Sequence, residues 1–208
     1  GVAQVVVVDD GSRDKTAELA GMAGAKVVVS PENRGKGQAL NEGLRLFRHD
    51  VLLLLDGDLG ASAAFADRLL DPVLAGEVDM TIARFAPRPG AAKGWGLVKG
   101  LAAWGIRTLT GMKVQAPLSG QRALNKQVVA GLKGFAQGYG VEVALTIDVA
   151  RQGYRIGEIN TNLYHHGETG RDLAGILHRG RQFLDVAGVL AWELAEILIS
   201  RTGRLSRA

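Results

Sequence analysis

The sequence contains no cysteine, which excludes a disulfide framework and a thiolate metal site and leaves the redox compartment open. No run reaches the roughly 18–20 apolar residues that a membrane-spanning helix needs, and no signal-peptide pattern is visible. The apolar stretch 186–199 is interrupted by Glu193 and Glu196, so it reads as an amphipathic or core helix. Aromatic residues make up only 5% of the chain; with no recognition motif present, nucleic acid is a poor candidate for a partner. Acids are missing altogether from residues 80–141, where nine Lys/Arg stand without an Asp or Glu. Residues 1–79 carry thirteen acids against eight bases, and residues 142–208 carry eight of each, so the net charge of +4 hides a sharp asymmetry. A long acid-free stretch points to a surface that meets an anion, either a phosphorylated acceptor or a membrane headgroup layer. The plainer alternative is a solvated basic face.

What is present fits one α/β domain, since 208 residues suffice to bury a sizeable core. Val5-Val6-Val7-Val8 runs into Asp9-Asp10-Gly11-Ser12, and Val51-Leu52-Leu53-Leu54-Leu55 runs into Asp56-Gly57-Asp58. Apolar runs without alternation read as strands buried on both faces, as in parallel sheets. Ligands of such sheets bind beyond the carboxyl ends of the strands, where these aspartates fall. Acids crowded there repel one another unless a cation intervenes, so Asp-Gly-Asp after a strand suits a hard divalent ion carrying a diphosphate. Taken singly, either motif is also ordinary turn and cap chemistry. Gly1 leads within a few residues into a central strand with no initiator Met, so the chain is expected to be part of a longer protein.

Along the chain, strands are expected at Val5–Val8, Lys26–Val29, Val51–Leu55, Met80–Phe85 and Tyr154–Ile159. Helical spacing is expected at Lys15–Ala23, with Ser12 or Asp14 as its cap, and at Gln38–Phe47, Ala63–Leu74, Leu97–Leu109 and Val141–Arg151. From Arg171 the chain reads as one long helix or two. The alternation of strand and helix argues for βαβ units with right-handed crossovers. The segment 86–111, rich in Gly, Pro and Trp, reads as a binding or lid insertion. Asn33-Arg34-Gly35-Lys36-Gly37 opens a helix with two glycines and a mobile cation, which suits an anion without matching a P-loop or a dinucleotide fingerprint.

In this order the motifs are specific. Val-Val-Asp-Asp-Gly-Ser-x-Asp-x-Thr, then Asn-Arg-Gly-Lys-Gly-x-Ala-Leu-Asn-x-Gly, then Leu-Asp-Gly-Asp-Leu resembles the family 2 glycosyltransferases, over nearly the whole chain. The resemblance implies the GT-A fold, a Rossmann-like, mostly parallel sheet flanked by helices. Residues 1–170 would form the catalytic domain and 171–208 a C-terminal helical extension of it. Family members also carry a first strand unit with a Pro-x-x-Asn-Glu loop ahead of the aspartate that matches Asp10; that unit is missing here, which leaves the Val5–Val8 strand without a central neighbour.

The resemblance further implies a nucleotide-diphosphate sugar donor and a Mn²⁺ or Mg²⁺ cofactor. Position by position, Asp10 with Gly11 would bind the nucleobase, Lys36 would lie near the nucleotide, and Asp56 with Gly57 would lie by the ribose or sugar. Asp58 of the DXD motif would ligate the metal. Pro117-Leu118-Ser119-Gly120-Gln121-Arg122-Ala123 is similar to the acceptor loop, with Ser119 and Gly120 binding substrate. Gly138-Tyr139-Gly140-Val141-Glu142 is similar to the polyprenyl-phosphate sugar transferases and, more closely, to the glucosyl-3-phosphoglycerate synthases. In the latter a histidine after the next strand completes the metal shell, which maps onto His166, with His165 adjacent. Glu142 would orient an acceptor hydroxyl or act as its base, and Arg171 beside the histidines would face phosphate. Lys93–Lys99 does not reproduce the Arg-Val-Thr segment of that group, so the acceptor is left open between a small phosphorylated molecule and a polyprenyl phosphate.

The expected activity is thus hexosyl transfer from a UDP-glucose-like donor, with charge stabilisation of the leaving diphosphate as its main catalytic contribution. A nucleotidyltransferase and a non-catalytic nucleotide-binding module remain as alternatives. The expected location is cytoplasmic, either free or at the inner face of the membrane. The terminal helix has three options: packing on the domain, pairing with a second copy, or touching a membrane surface.

Overall fold

The structure, a computed structural model, describes residues 2–86, 96–164 and 173–205, with side chains for all of these except 139, 173–179 and 197–205. Six strands fall into two hydrogen-bonded sheets. Strand β1 (Val6–Asp9) pairs in parallel with β2 (Lys26–Val29), connected by helix α1 (Thr16–Met22). The second sheet has the order β3-β5-β4-β6, with β3 at Val51–Leu54, β4 at Met80–Phe85, β5 at Arg122–Asn125 and β6 at Ile156–Thr161. Strands β4 and β6 are parallel, and β5 runs antiparallel to both of its neighbours.

Period-two alternation on the central strands builds a core on each face of this sheet. Met80 and Ile82, with Leu124, face α4 (Leu97–Thr110), α6 (Val141–Arg151) and α7 (Leu173–Leu205), where Ala102, Ile106, Val143, Ile147, Val186 and Leu190 complete the packing. Ala83 and Ala123 face the other way, onto Leu59, which caps the 3₁₀ helix Gly60–Leu69, onto Leu69 of that helix and onto Val73 of its continuation α3 (Asp71–Leu74). Helix α6 is buried nearly all round, which explains its continuous apolar sequence and places Glu142 inside the protein at 7% exposure.

Three expectations need correction. The valine and leucine runs of β1 and β3 are half-buried for the most part, whereas Met80–Ala83 of β4 is fully buried. The reason is topological: among the described residues β1 has a strand partner on one side only, and β3 is an outer strand of its sheet. Strand β5 was not expected; a charged residue opens it and only four residues form it. Helix α2 spans Lys36–Leu44, two residues ahead of its expected start. The cause is a tertiary cap, described below, that local sequence does not reveal. Neither Ser12 nor Asp14 is the N-cap of the first helix, which is Lys15 without a side-chain cap; Asp14, one residue earlier, accepts from the Thr16 amide at 3.0 Å.

Asp79 ties the edges of β4, β5 and β6 together. Its carboxylate accepts from the Arg155 amide (2.8 Å), Arg155 Nε (3.1 Å) and Asn125 Nδ2 (3.0 Å). The hydrogen bond from Arg155 is the main reason its pKa is lowered. A depressed carboxylate pKa contributes stability that is present above its unfolded value, about 3.9, and is lost as pH falls through the folded value. Asp79→Asn is therefore expected to cost about 1–2 kcal/mol at pH 7 and to blunt the loss of stability below pH 4. Urea unfolding at pH 7 and pH 3 measures both effects.

Candidate functional site

The β1 end begins the site. Asp9 closes its own turn by accepting from the Ser12 amide at 2.7 Å. Asp10 reaches across to the loop before α2, where Oδ1 accepts from the Arg34 amide at 2.8 Å and Oδ2 from the Gly35 amide at 2.7 Å. The Gly35 amide, at the N-cap of α2, is one that a helix start leaves without a partner, and the Arg34 amide directly precedes it. One carboxylate just beyond β1 thus fixes the Gly35-Lys36-Gly37 loop and sets where α2 begins. Gly37 sits so close to the backbone that an added Cβ would lie 1.9 Å from the Ala136 carbonyl oxygen, so α2 is pressed against the 135–137 segment.

Lys36, the first residue of α2, projects to the end of β3. Its Nζ lies 2.7 Å from Asp56 Oδ1 and 2.7 Å from Glu142 Oε1. The second Asp56 oxygen accepts from Gln121 Nε2 at 2.6 Å, and Ser119 Oγ donates to Gln121 Oε1 at 3.2 Å. Burial alone would lower the Lys36 pKa, but the charges of Glu142 and Asp56 outweigh it and raise the value. The ammonium is therefore a fixed cation at neutral pH. Gly120 closes the constellation: a Cβ there would meet Lys36 Nζ at 2.5 Å and both Asp56 oxygens below 3.0 Å. Only a residue without a side chain lets the Ser119-Gly120 turn lie over the Lys36–Asp56 pair.

Arg122 lies beneath this turn at 1% exposure. Its Nε donates to the Ser119 carbonyl (2.9 Å) and its Nη1 to Thr146 Oγ1 (2.9 Å). Thr146 in turn donates to the Glu142 carbonyl at 2.7 Å. Burial brings the Arg122 pKa down to about 10, against the upward pull of Glu142 and Glu158, so it too is charged at neutral pH.

The structure thus brings together Lys36, Asp56, Glu142, Ser119 and Gly120, from segments 106 residues apart in the sequence at the extreme (Lys36 to Glu142). Asp10 and Gly11 sit at the mouth of the neighbouring Gly35 loop, where the Asp10 carboxylate is engaged with backbone. Gly57 and Asp58 follow directly in the chain and are exposed. Gln121, Arg122 and Thr146 had been given no role of their own; the first two stand within a recognised motif, but Thr146 carries no sequence signal. His165, His166 and Arg171 lie outside the described residues, as does part of the 86–111 insertion. Among the described residues no three His, Cys, Asp or Glu side chains cluster as a metal site. An exposed carboxylate at a strand end, beside a second carboxylate held by Lys36 and Gln121, still suits Mg²⁺ or Mn²⁺, which take hard oxygen ligands and share their shell with substrate phosphates and water. A recess of about 570 Å³, lined by Asp50, Asp79, Lys126 and Tyr154, lies at the opposite end of β3 from Asp56 and does not communicate with this chemistry.

Comparison with known proteins shows the family. The family model described as Glycosyl transferase family 2 matches residues 2–126. Glycosyltransferase AglJ of Haloferax volcanii is 34% identical over 167 residues, covering 79% of this chain and 55% of that protein. Glucosyl-3-phosphoglycerate synthase of Mycobacterium tuberculosis is 32% identical over 225 residues, covering 97% of this chain and 65% of that protein. The chain therefore spans between about half and two thirds of the length of these curated relatives. The crystal structure of the M. tuberculosis synthase with Mn²⁺, UDP-glucose and phosphoglyceric acid matches with a TM-score of 0.72 at 28% identity, covering 92% of this chain and 69% of that one. Its complex with phosphoglyceric acid gives 0.75 at 29% identity. By fold, motif order and relatives alike, the chain belongs to glycosyl transferase family 2.

Proposed function

We propose that this chain carries the catalytic centre of a metal-dependent hexosyltransferase, which moves a sugar from a UDP-glucose-like donor to a small phosphorylated acceptor. The observation that carries this reading is the bridging of Asp56 and Glu142 by Lys36 under the Ser119-Gly120 turn. It joins a donor-side carboxylate, a buried acid and an acceptor turn around one fixed cation.

Asp58 and His166 would hold the metal, which when bound supplies charge neutralisation at the leaving diphosphate. The residues of the chain divide the remaining work. Asp10 holds the Arg34-Gly35 amides in place, and the start of α2 offers a favourable site for negative charge. Lys36 adds a cation whose protonation is secured by its two carboxylates. Asp56, held by Lys36 and Gln121, presents a fixed acceptor to a sugar or ribose hydroxyl. Glu142 orients the acceptor hydroxyl and can take its proton; an acceptor attacking through a phosphate oxygen needs no base. The acid-free stretch 80–141 gives an anionic acceptor a favourable approach. The relatives named for phosphoglycerate chemistry support a small acceptor of that class.

One observation favours a second acceptor, a phosphate on a lipid. Leu97 and Trp104 are 63% and 59% exposed on α4, in a helix that also carries Lys99 and Arg107. An exposed aromatic among bases suits an anionic headgroup layer. Among the described residues no helix is long and apolar enough to cross a membrane, so such contact would be peripheral.

Calorimetric titration with UDP-glucose, with Mn²⁺ and with EDTA, followed by transfer to 3-phosphoglycerate, tests the reading. Metal-dependent binding with transfer is expected. A folded protein that binds no nucleotide sugar overturns it, and transfer only in the presence of polyprenyl phosphate selects the lipid acceptor.

A further inference from the structure

Arg122 is an unusual residue to bury. At 1% exposure its guanidinium has no carboxylate within ion-pair distance among the described residues, and its Nη2 finds no hydrogen-bond partner there. A buried charge held only by neutral acceptors is costly to desolvate, and an apolar side chain of similar volume commonly packs such a position at least as well. Stability therefore gives no reason for an arginine here. Connectivity does.

The two bonds that Arg122 makes go to the two halves of the acceptor side. Nε holds the carbonyl of Ser119, the residue before Gly120, and Nη1 holds the Thr146 hydroxyl one turn along α6 from Glu142. Thr146 passes the connection on, donating to the Glu142 carbonyl. The planar guanidinium spans the gap between β5 and α6 with Nε engaged on one side and Nη1 on the other, which a lysine ammonium on a flexible stem does not reproduce. Neither of these bonds reaches Asp10 or the Gly35 loop on the donor side.

We infer that Arg122 is a positioning residue for the acceptor: it fixes the Ser119-Gly120 turn relative to Glu142, and so acts on acceptor affinity more than on donor affinity, which it reaches only indirectly through Ser119, Gln121 and Asp56. The inference rests on the transfer reading above and adds to it a separation between the two substrates. Displacement of the turn by even about an ångström would misplace the acceptor against Glu142, and misplacements of that size cost up to about a hundredfold in rate.

The test uses Thr146→Val, which keeps shape but removes the α6 anchor, and Arg122→Lys, which keeps charge but removes the fork. For both, the KM for 3-phosphoglycerate is expected to rise about tenfold while the KM for UDP-glucose stays within about twofold, as loss of one charge-assisted hydrogen bond on the acceptor side alone requires. Amide hydrogen exchange is expected to quicken at 118–121 and 141–146 and nowhere else. Equal shifts in both KM values, or unchanged exchange at 118–121, overturn the inference. If the unaltered protein transfers to no acceptor, the transfer reading falls by itself, and the exchange pattern of the two variants still decides whether Arg122 holds the turn.

Discussion

Asp58→Ala is expected to abolish metal-dependent donor binding while the protein keeps its cooperative unfolding transition. Asp58 is exposed at the end of β3, two residues beyond Asp56, so the fold does not depend on burying it. A Mg²⁺ or Mn²⁺ site built from one or two carboxylates and completed by phosphate oxygens loses much of its protein anchoring when one carboxylate goes. Charge stabilisation by a metal at a leaving group contributes several kcal/mol, so transfer should fall by about a thousandfold or more. Residual UDP-glucose binding should be the same with Mn²⁺ as with EDTA. Calorimetry in both conditions gives the result directly, and a variant whose affinity still rises on adding Mn²⁺ would remove Asp58 from the metal site. Asp56→Ala is a less clean test, because that carboxylate also holds Lys36 and Gln121.

The placement of Asp56 and Asp58 was legible because strand termini are written in local pattern. An apolar run stops, a glycine allows a turn, and acids collect at the carboxyl end. Strands β2 and β4 and helix α6 were legible in the same way, each with its expected bounds. The structure departs from local pattern where distant parts of the chain decide. Strand β5 begins with a buried arginine, and its pairing with β3 and β4 is what makes four such residues a strand. Helix α2 starts at Lys36 because Asp10, more than twenty residues earlier, captures the Arg34 and Gly35 amides. The burial of β1 and β3 was overread, because a continuous apolar run does not say how many neighbours the strand has.

The same division holds for the site. Motif spacing pointed to Lys36, Asp56 and Glu142 separately, but nothing in the spacing says that one ammonium lies between two carboxylates. Gly120 was legible as part of a loop, whereas the reason for a glycine is the Lys36–Asp56 pair beneath it. Thr146 was invisible, since a threonine in an apolar helix carries no sign of the arginine it will accept from.

Lys36→Met should separate the structural and catalytic consequences of that central cation. Removing the ammonium leaves Asp56 Oδ1 and Glu142 Oε1, each 2.7 Å from its former position, facing one another without a counter-charge. Breaking a fully buried pair costs about 3–5 kcal/mol, but Lys36 keeps about a third of its side chain in water, so about 1–2 kcal/mol is expected here. The pKa of Lys36 is raised, so its contribution is fully present below the unfolded value of about 10.4 and is lost only as pH rises through the folded value. The stability difference between the protein and Lys36→Met should therefore be flat from pH 6 to pH 9, which urea unfolding across that range measures. Activity should suffer far more than stability, with kcat/KM falling by about a hundredfold or more, because a fixed cation beside the reacting groups acts most strongly on the charge that develops there. Lys36→Arg supplies the control: it retains the positive charge under the Ser119-Gly120 turn, yet its fork is too broad for the space in which a Gly120 Cβ would already meet Nζ at 2.5 Å. Recovery of stability in Lys36→Arg without recovery of kcat/KM would show that the position of the cation, and not its charge alone, serves the reaction; recovery of both would assign Lys36 a purely electrostatic role.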